Sequence, residues 1–241
     1  ADGLAARIPV AGGVRHVVYF SSVKAMTEES EGILDETFPP RPTTAYGRTK
    51  LAAEEDVRQA GLAKGFRTTT LRLPMVYGPG NKGNVYRMIA AVDRGRFALI
   101  GRGENRRSMV YVKNVVEATL TVARRRDLPN DVYLVTDGTD YTVRELYEAI
   151  ARGLGRRPMP FGIPHAAARL LARLGDAGGR LTGRSLPFNS GALAKLTGDL
   201  RFSSERIRRE AGFTPAYALQ EAIGETVDWY RSVAAEGGRR P

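Results

Sequence analysis

The sequence predicts an α/β fold built on a parallel, doubly wound sheet. Three observations carry this. Continuous β-branched runs punctuate the first 155 residues, as in strands buried on both faces. Helical patterns separate those runs, and strand–helix–strand order favours parallel pairing with right-handed crossovers. After about residue 155 the texture turns to Pro-rich connectors and helical segments, which predicts a smaller, mostly helical lobe.

"GVRHVVYFSS" (13–22) reads as the first buried strand, ending in small polar residues. "FRTTTLRLPMVYGPG" (66–80) reads as a second strand running into a Gly/Pro turn, and "DVYLVTDG" (131–138) as a third. Helical patterns cover 45–63, 84–94, 114–126 and 142–155. Thr142 followed by Glu145 is the signature of a capping box. Beyond these, "HAAARLLARLG" reads as a short apolar helix and "GDAGGRLTGRS" as a flexible stretch. "SSERIRREAGF" reads as a serine-capped helix stopped at Gly212, and "TPAYALQEAIGETVDWYRSVAAE" as a final amphipathic helix. No G-x-G-x-x-G precedes the first strand, so the sheet is expected to be N-terminally incomplete. The expectation is that roughly 80–100 residues, two or three βα units, come before Ala1.

The chain has 241 residues, an apolar share of 42%, no cysteine and two histidines, His16 and His165, far apart in sequence. Disulfides and thiol chemistry are excluded, and no metal site is expected. The net charge is +11, but the arginine runs are scattered and lack interleaved aromatics, so no nucleic-acid partner is expected. No stretch approaches the length of a bilayer-spanning helix and no signal-peptide pattern occurs. No membrane partner and a cytoplasmic location are expected.

"AYGRTK" (45–50) places Tyr46 four residues before Lys50, one helical turn apart on one face. A free phenol is a poor base at neutral pH, and an ammonium within a few ångströms stabilises its phenolate. Alone this spacing is a weak signal. Its order along the chain strengthens it: a strand ending in Ser21-Ser22, an acidic loop, then "RPTTAYGRTKLAAEE", then a strand leading to "VYGPG".

Those residues resemble the extended short-chain dehydrogenase/reductase family, in its NAD-dependent epimerase/dehydratase branch. The matching positions are Ser21, Ser22, Pro42, Tyr46, Gly47, Thr49, Lys50, Glu54 and "LRLPMVYGPG" at 71–80. "RGRFALIGRGENRRSMVYVKNVVEA" and "REAGFTPAYALQEAIGETVDWYR" extend the likeness over nearly the whole chain. The resemblance implies a Rossmann-type fold, with residues 1–82 and 113–140 in the NAD-binding domain. It places 83–112 and 141–241 in a substrate-binding lobe. It also implies a catalytic Ser22–Tyr46–Lys50 set, with Tyr46 as acid/base, and cofactor contacts from Ser21, Tyr46, Lys50 and Pro74. Substrate contacts would come from Ser22, Asn84 and Arg107, with 97–100 as a strand lining the base.

The expected reaction is NAD-dependent epimerisation of a nucleotide sugar, such as a UDP-sugar at its 4-hydroxyl, as in UDP-glucose 4-epimerase-like members. A dehydrogenase/reductase, a sugar dehydratase and a non-catalytic fragment remain alternatives. Val23 and Lys24 stand where a dehydratase would carry an acid, while Met26, Thr27 and Met75 depart from common family residues near the sugar. "PFNSGALAKLTGDL" is similar to members acting on apolar alcohols. Leu51, Val57 and Leu62 form a modest stripe, on which a homodimer is expected.

Overall fold

A computed structural model of the chain describes residues 13–237 except 130, 184, 185 and 187. Strand β1 (His16–Ser22) pairs in parallel with β3 (Arg67–Leu73), which pairs in parallel with β6 (Val132–Leu134). A second sheet joins β4 (Met75–Tyr77) in parallel to β5 (Arg106–Tyr111), and β5 antiparallel to β7 (Asp140–Thr142). A short ladder pairs β2 (Ile33–Leu34) with β8 (Arg201–Phe202).

The strand expected over 66–80 is therefore two. Pro74 has no N–H to extend a ladder, so the pairing breaks there. Before it the chain bonds to β1 and β6; after it, to β5. The strand expected over 131–138 shrinks to β6, because Asp137 turns inward to bind the Tyr111 N–H. Residues 97–99 form no strand; only Ile100 bridges, to Ile163.

Helix α1 (Ala45–Lys64) covers the β1–β3 face, and α2 (Asn84–Asp93) and α3 (Val112–Arg124) follow β4 and β5. Helix α4 (Val143–Gly153) starts with the expected capping box from Thr142 and Glu145. Helix α5 (His165–Thr182) takes in most of the glycine-rich stretch 175–185 expected to be flexible, of which 184 and 185 lie outside the described residues. A Cβ on Gly175 would collide with the Phe188 carbonyl oxygen, so glycine lets the helix press against that segment. Helices α6 (Ser190–Thr197), α7 (Glu205–Ala211) and α8 (Leu219–Gly237) complete the described chain. The last begins later than its sequence pattern suggests. The Asn114 carboxamide accepts the N–H groups of Ala216 (3.1 Å) and Tyr217 (3.2 Å), which holds that stretch out of the helix.

Two cores result. One gathers Leu71, Val110, Val122 and Tyr133 under the first sheet; α7 adds Ile207 and Ala211 to it, although it lies within 141–241. The other gathers Tyr77, Ile89, Met109, Ile150 and Leu219. Strand β5 feeds both through the alternation of its side chains. Buried Asp137 links them: its carboxylate accepts the Tyr111 N–H (2.8 Å), the Asn114 amide (2.7 Å) and the Tyr77 hydroxyl (2.9 Å). Burial still pushes its carboxyl above the ordinary value, against the pull of those donors.

Val57 is buried in the chain's own interior, so the apolar stripe expected for dimerisation reduces to Leu51 and Leu62.

Helix α1 is fastened to the sheet by one buried ion pair. Arg72 on β3 grips Glu54 through Nε–Oε1 (3.0 Å) and Nη2–Oε2 (2.6 Å), and the Ser21 hydroxyl donates to Oε1 (2.5 Å). Glu54→Gln should destabilise the protein by about 3–5 kcal/mol by stranding Arg72. Glu54→Met with Arg72→Met should recover most of that loss. Urea melts of the two variants check both expectations.

Candidate active site

The first turn of α1 sits against the end of β1. Thr44 caps the helix by accepting the Gly47 N–H (3.1 Å). Ser22 caps the single 3₁₀ turn that follows β1 (Val23–Ala25), accepting the Lys24 N–H (3.2 Å). The two turns touch at Gly47, where a Cβ would collide with the Lys24 carbonyl oxygen and lie 2.8 Å from Pro42 Cβ. The glycine beside Tyr46 therefore lets the tyrosine's helix approach the turn that Ser22 starts.

Tyr46 is 56% exposed at this corner. Lys50, one turn on, donates to the Phe20 carbonyl of β1 (3.0 Å) and lies 5.2 Å from the centre of the Tyr19 ring. Its ammonium thus rests on β1, one helical turn along α1 from Tyr46. The Ser21 hydroxyl, expected at the cofactor, is instead engaged with Glu54 and buried.

Four of the expected residues share one cavity of about 420 Å³: Ser22, Pro74, Asn84 and Arg107. They arrive from four places, the ends of β1 and β3, the start of α2 and the start of β5. The ends of β1 and β3 are where open parallel sheets bind ligands. Tyr46 and Lys50 do not line the cavity; their helix abuts it through Lys24, which does. A larger hollow of about 820 Å³, between β7 and α7, holds none of the expected residues.

Asn84 opens α2 as its first residue rather than capping it; Gly83 is the cap. The Asn84 carboxamide is exposed and has no hydrogen-bond partner among the described residues. Arg107 donates to the Lys195 carbonyl, and burial lowers its pKa.

The sequence reading missed two charged groups in this cavity, Glu28 and Lys195; Lys24, which stands beside Ser22 in sequence, lines it as well. Lys24 pairs with Glu28 at 2.6 Å, and the Thr44 hydroxyl donates to the same carboxylate (2.6 Å). Burial pushes the Glu28 carboxyl up, but the Lys24 and Thr44 hydrogen bonds outweigh it and leave the group below its ordinary value. Glu28 is therefore ionised at neutral pH. Its arrival from the acidic loop carried no signal in spacing, because a hydrogen bond to the cap of α1 places it.

The family model described as "NAD dependent epimerase/dehydratase family" matches residues 5–136, more than half of the chain. The chain belongs to the NAD-dependent epimerase/dehydratase family. Within it, the chain is 26% identical over 219 residues to an N-acetyl-alpha-D-glucosaminyl-diphospho-ditrans,octacis-undecaprenol 4-epimerase of Escherichia coli O157:H7, covering 90% of this chain and 66% of that one. It is 27% identical over 241 residues to 3beta-hydroxysteroid-dehydrogenase/decarboxylase isoform 1 of Arabidopsis thaliana, covering 93% of this chain and 55% of that one. The chain thus spans less than two thirds of the length of either relative. Among solved structures, UDP-glucose 4-epimerase of Thermus thermophilus in complex with NAD superposes with a TM-score of 0.62 at 26% identity, over 91% of this chain and 65% of that one. The fold of this family member is Rossmann-type α/β.

The contact at Gly47 yields a paired test. Gly47→Ala should cost about 1–3 kcal/mol, because its Cβ meets backbone rather than a yielding side chain. Gly224→Ala, in α8 with nothing within 4 Å, should be neutral or stabilise by up to about 1 kcal/mol. Thermal melts compare the two.

Proposed function

We propose that the chain carries the catalytic and substrate-binding part of an NAD-dependent nucleotide-sugar 4-epimerase. One observation carries this reading. Ser22, Asn84 and Arg107 face one cavity, and the Tyr46–Lys50 helix abuts its wall through Gly47 and Lys24. The E. coli relative's 4-epimerase name and the T. thermophilus structure with NAD support it.

In this reading Ser22 holds the sugar 4-hydroxyl, and Tyr46 removes its proton and later returns it. Lys50 turns from the Phe20 carbonyl to stabilise the phenolate. NAD, when bound, supplies a reversible hydride acceptor. Of the residues expected to hold it, Pro74 follows β3 and Lys50 reaches β1 at the Phe20 carbonyl; in this reading they and Tyr46 would flank the nicotinamide. Arg107 gives the sugar diphosphate a planar guanidinium, and Lys24 and Lys195 add positive charge in the same cavity. An ionised Glu28 is unsuited to protonate a leaving hydroxyl, which disfavours the dehydratase alternative.

A second reading, an NAD(P)-dependent dehydrogenase acting on an apolar alcohol, has its own support. Met75, Met88, Leu146 and Leu196 make much of the cavity wall apolar, and the Arabidopsis relative is named a hydroxysteroid dehydrogenase/decarboxylase.

Turnover of UDP-sugars in the presence of NAD decides between the two. Under the first reading, Tyr46→Phe should cut the rate by roughly 10²–10⁴-fold with little change in substrate binding. Lys50→Met should move the rising limb of the rate–pH profile to higher pH, because phenolate then forms less readily. Near-normal turnover of Tyr46→Phe at neutral pH would defeat the mechanism.

The anion site is tested separately. Arg107→Ala should weaken UDP-sugar binding by about 2–5 kcal/mol in calorimetric titration. Unchanged affinity would move the diphosphate elsewhere or favour the apolar alcohol.

A further inference from the structure

Helix α5 is built the wrong way round for a helix that packs only on protein. Its inward face is made of small residues: Ala168 and Ala172 are buried against Leu193 of α6, with Ile100 and Phe188 packed alongside. Three of its leucines point outward. Leu170 is 61% exposed, Leu171 51% and Leu174 59%. A helix covering a core normally shows the opposite arrangement, with large apolar residues inward. Leu170 and Leu174 are four apart, and Leu171 and Leu174 three apart, so the three share one face. Arg169 and Arg173 are also four apart and form a row beside it; further along the same side Asp176, which accepts from Ser190, precedes Arg180. All three arginines are exposed, and Arg169 and Arg173 have no ion-pair partner among the described residues. Just before the helix, the connector exposes Phe161 at 85%.

We propose that α5 is a docking surface for an anionic lipid bilayer, lying in the plane of its headgroups. An outward leucine face bordered by arginines, two of them (Arg169 and Arg173) without an ion-pair partner among the described residues, is the composition that seats a helix at a lipid interface. The apolar face enters the acyl boundary, while the arginine row meets anionic headgroups and keeps its charge in water. The chain's excess of 37 Lys and Arg over 26 Asp and Glu favours the same surface. At about 1.5 Å per residue the helix lies along roughly 27 Å of membrane without crossing it. This departs from the expectation of no membrane partner, while agreeing that no described helix is long and apolar enough to span a bilayer.

The position of α5 gives the docking a use. It packs on α6, and α6 lines the candidate cavity with Lys195 and Leu196. A membrane on the outer face of α5 is therefore one helix away from the cavity, whichever reading of its substrate holds.

Vesicle flotation of the purified chain tests this, using phosphatidylcholine alone and mixtures containing phosphatidylglycerol. The chain should float with the anionic vesicles, bind phosphatidylcholine far less, and release as salt rises. Leu170→Gln with Leu171→Gln and Leu174→Gln should abolish flotation while circular dichroism and the melting temperature stay unchanged, since all three side chains are exposed. Should that variant unfold, Arg169→Gln with Arg173→Gln serves in its place. It keeps the leucines and should weaken binding by about 30-fold, with a shallower salt dependence. Failure of the wild-type chain to float with anionic vesicles overturns the proposal. So does flotation that neither variant reduces. A concentration-dependent dimer in sedimentation that the leucine variant abolishes, without vesicle binding, would make this face an interface between copies instead.

Discussion

The Glu54–Arg72 pair sets the geometry on which the candidate site depends. It is bidentate, buried and shared with the Ser21 hydroxyl, so it joins α1 to both β1 and β3 at one point. Lys50 lies one turn before Glu54, and Tyr46 one turn before that. At about 1.5 Å per residue, Tyr46 is roughly 12 Å along the axis from the anchor. Fixing Glu54 and the contact at Gly47 fixes both the height and the tilt of the intervening turns. That leaves Lys50 over the Phe20 carbonyl and Tyr46 at the corner beyond the strand. A buried ion pair adds little net stability compared with apolar packing, but its geometry is demanding. Here that geometry positions two residues which make no hydrogen bond to each other.

Local features of the sequence translate well. The boundaries of α1, α2 and α4 fall within a residue or two of their periodic patterns, and the Thr142–Glu145 box forms as its spacing implies. The gathering of Ser22, Pro74, Asn84 and Arg107 was legible only through the likeness to a family, because four separate segments bring them together. Long-range polar contacts were not legible at all. Nothing in the spacing of Asp137, Asn114 and Tyr77 announces that they meet, yet their hydrogen bonds delay the start of α8 and end β6 early. Gly175 misleads in the other direction. In the sequence its glycine reads as freedom, whereas the helix uses the missing side chain for close approach.

The candidate cavity mixes charge and grease in a way that suits an amphiphilic ligand. Arg107, Lys24 and Lys195 supply cations, Glu28 a compensating anion, and the methionines and leucines much of the remaining wall. Because Glu28 is held ionised by Lys24 and Thr44, one of the cations is already neutralised locally. Arg107 commits one donor to the Lys195 carbonyl, which orients its guanidinium without cancelling its charge. The charge available to an anionic ligand thus lies mainly on the Arg107–Lys195 side.

Pro74 has a consequence for how the molecule breathes. By ending one ladder and starting another, it leaves β3 and β4 covalently continuous but hydrogen-bonded to different neighbours. Cooperative units of local unfolding tend to follow such groupings of strands and their packed helices. The cavity has walls in both, with Ser22 on the first sheet and Arg107 on the second, and Pro74 itself on the seam. Fluctuations that leave each sheet intact would act on the gap between the Ser22 corner and the Arg107 wall. The proline thus sets a seam between two hydrogen-bonded groups of strands in the wall of the pocket, with the segment 135–137 bonded to both.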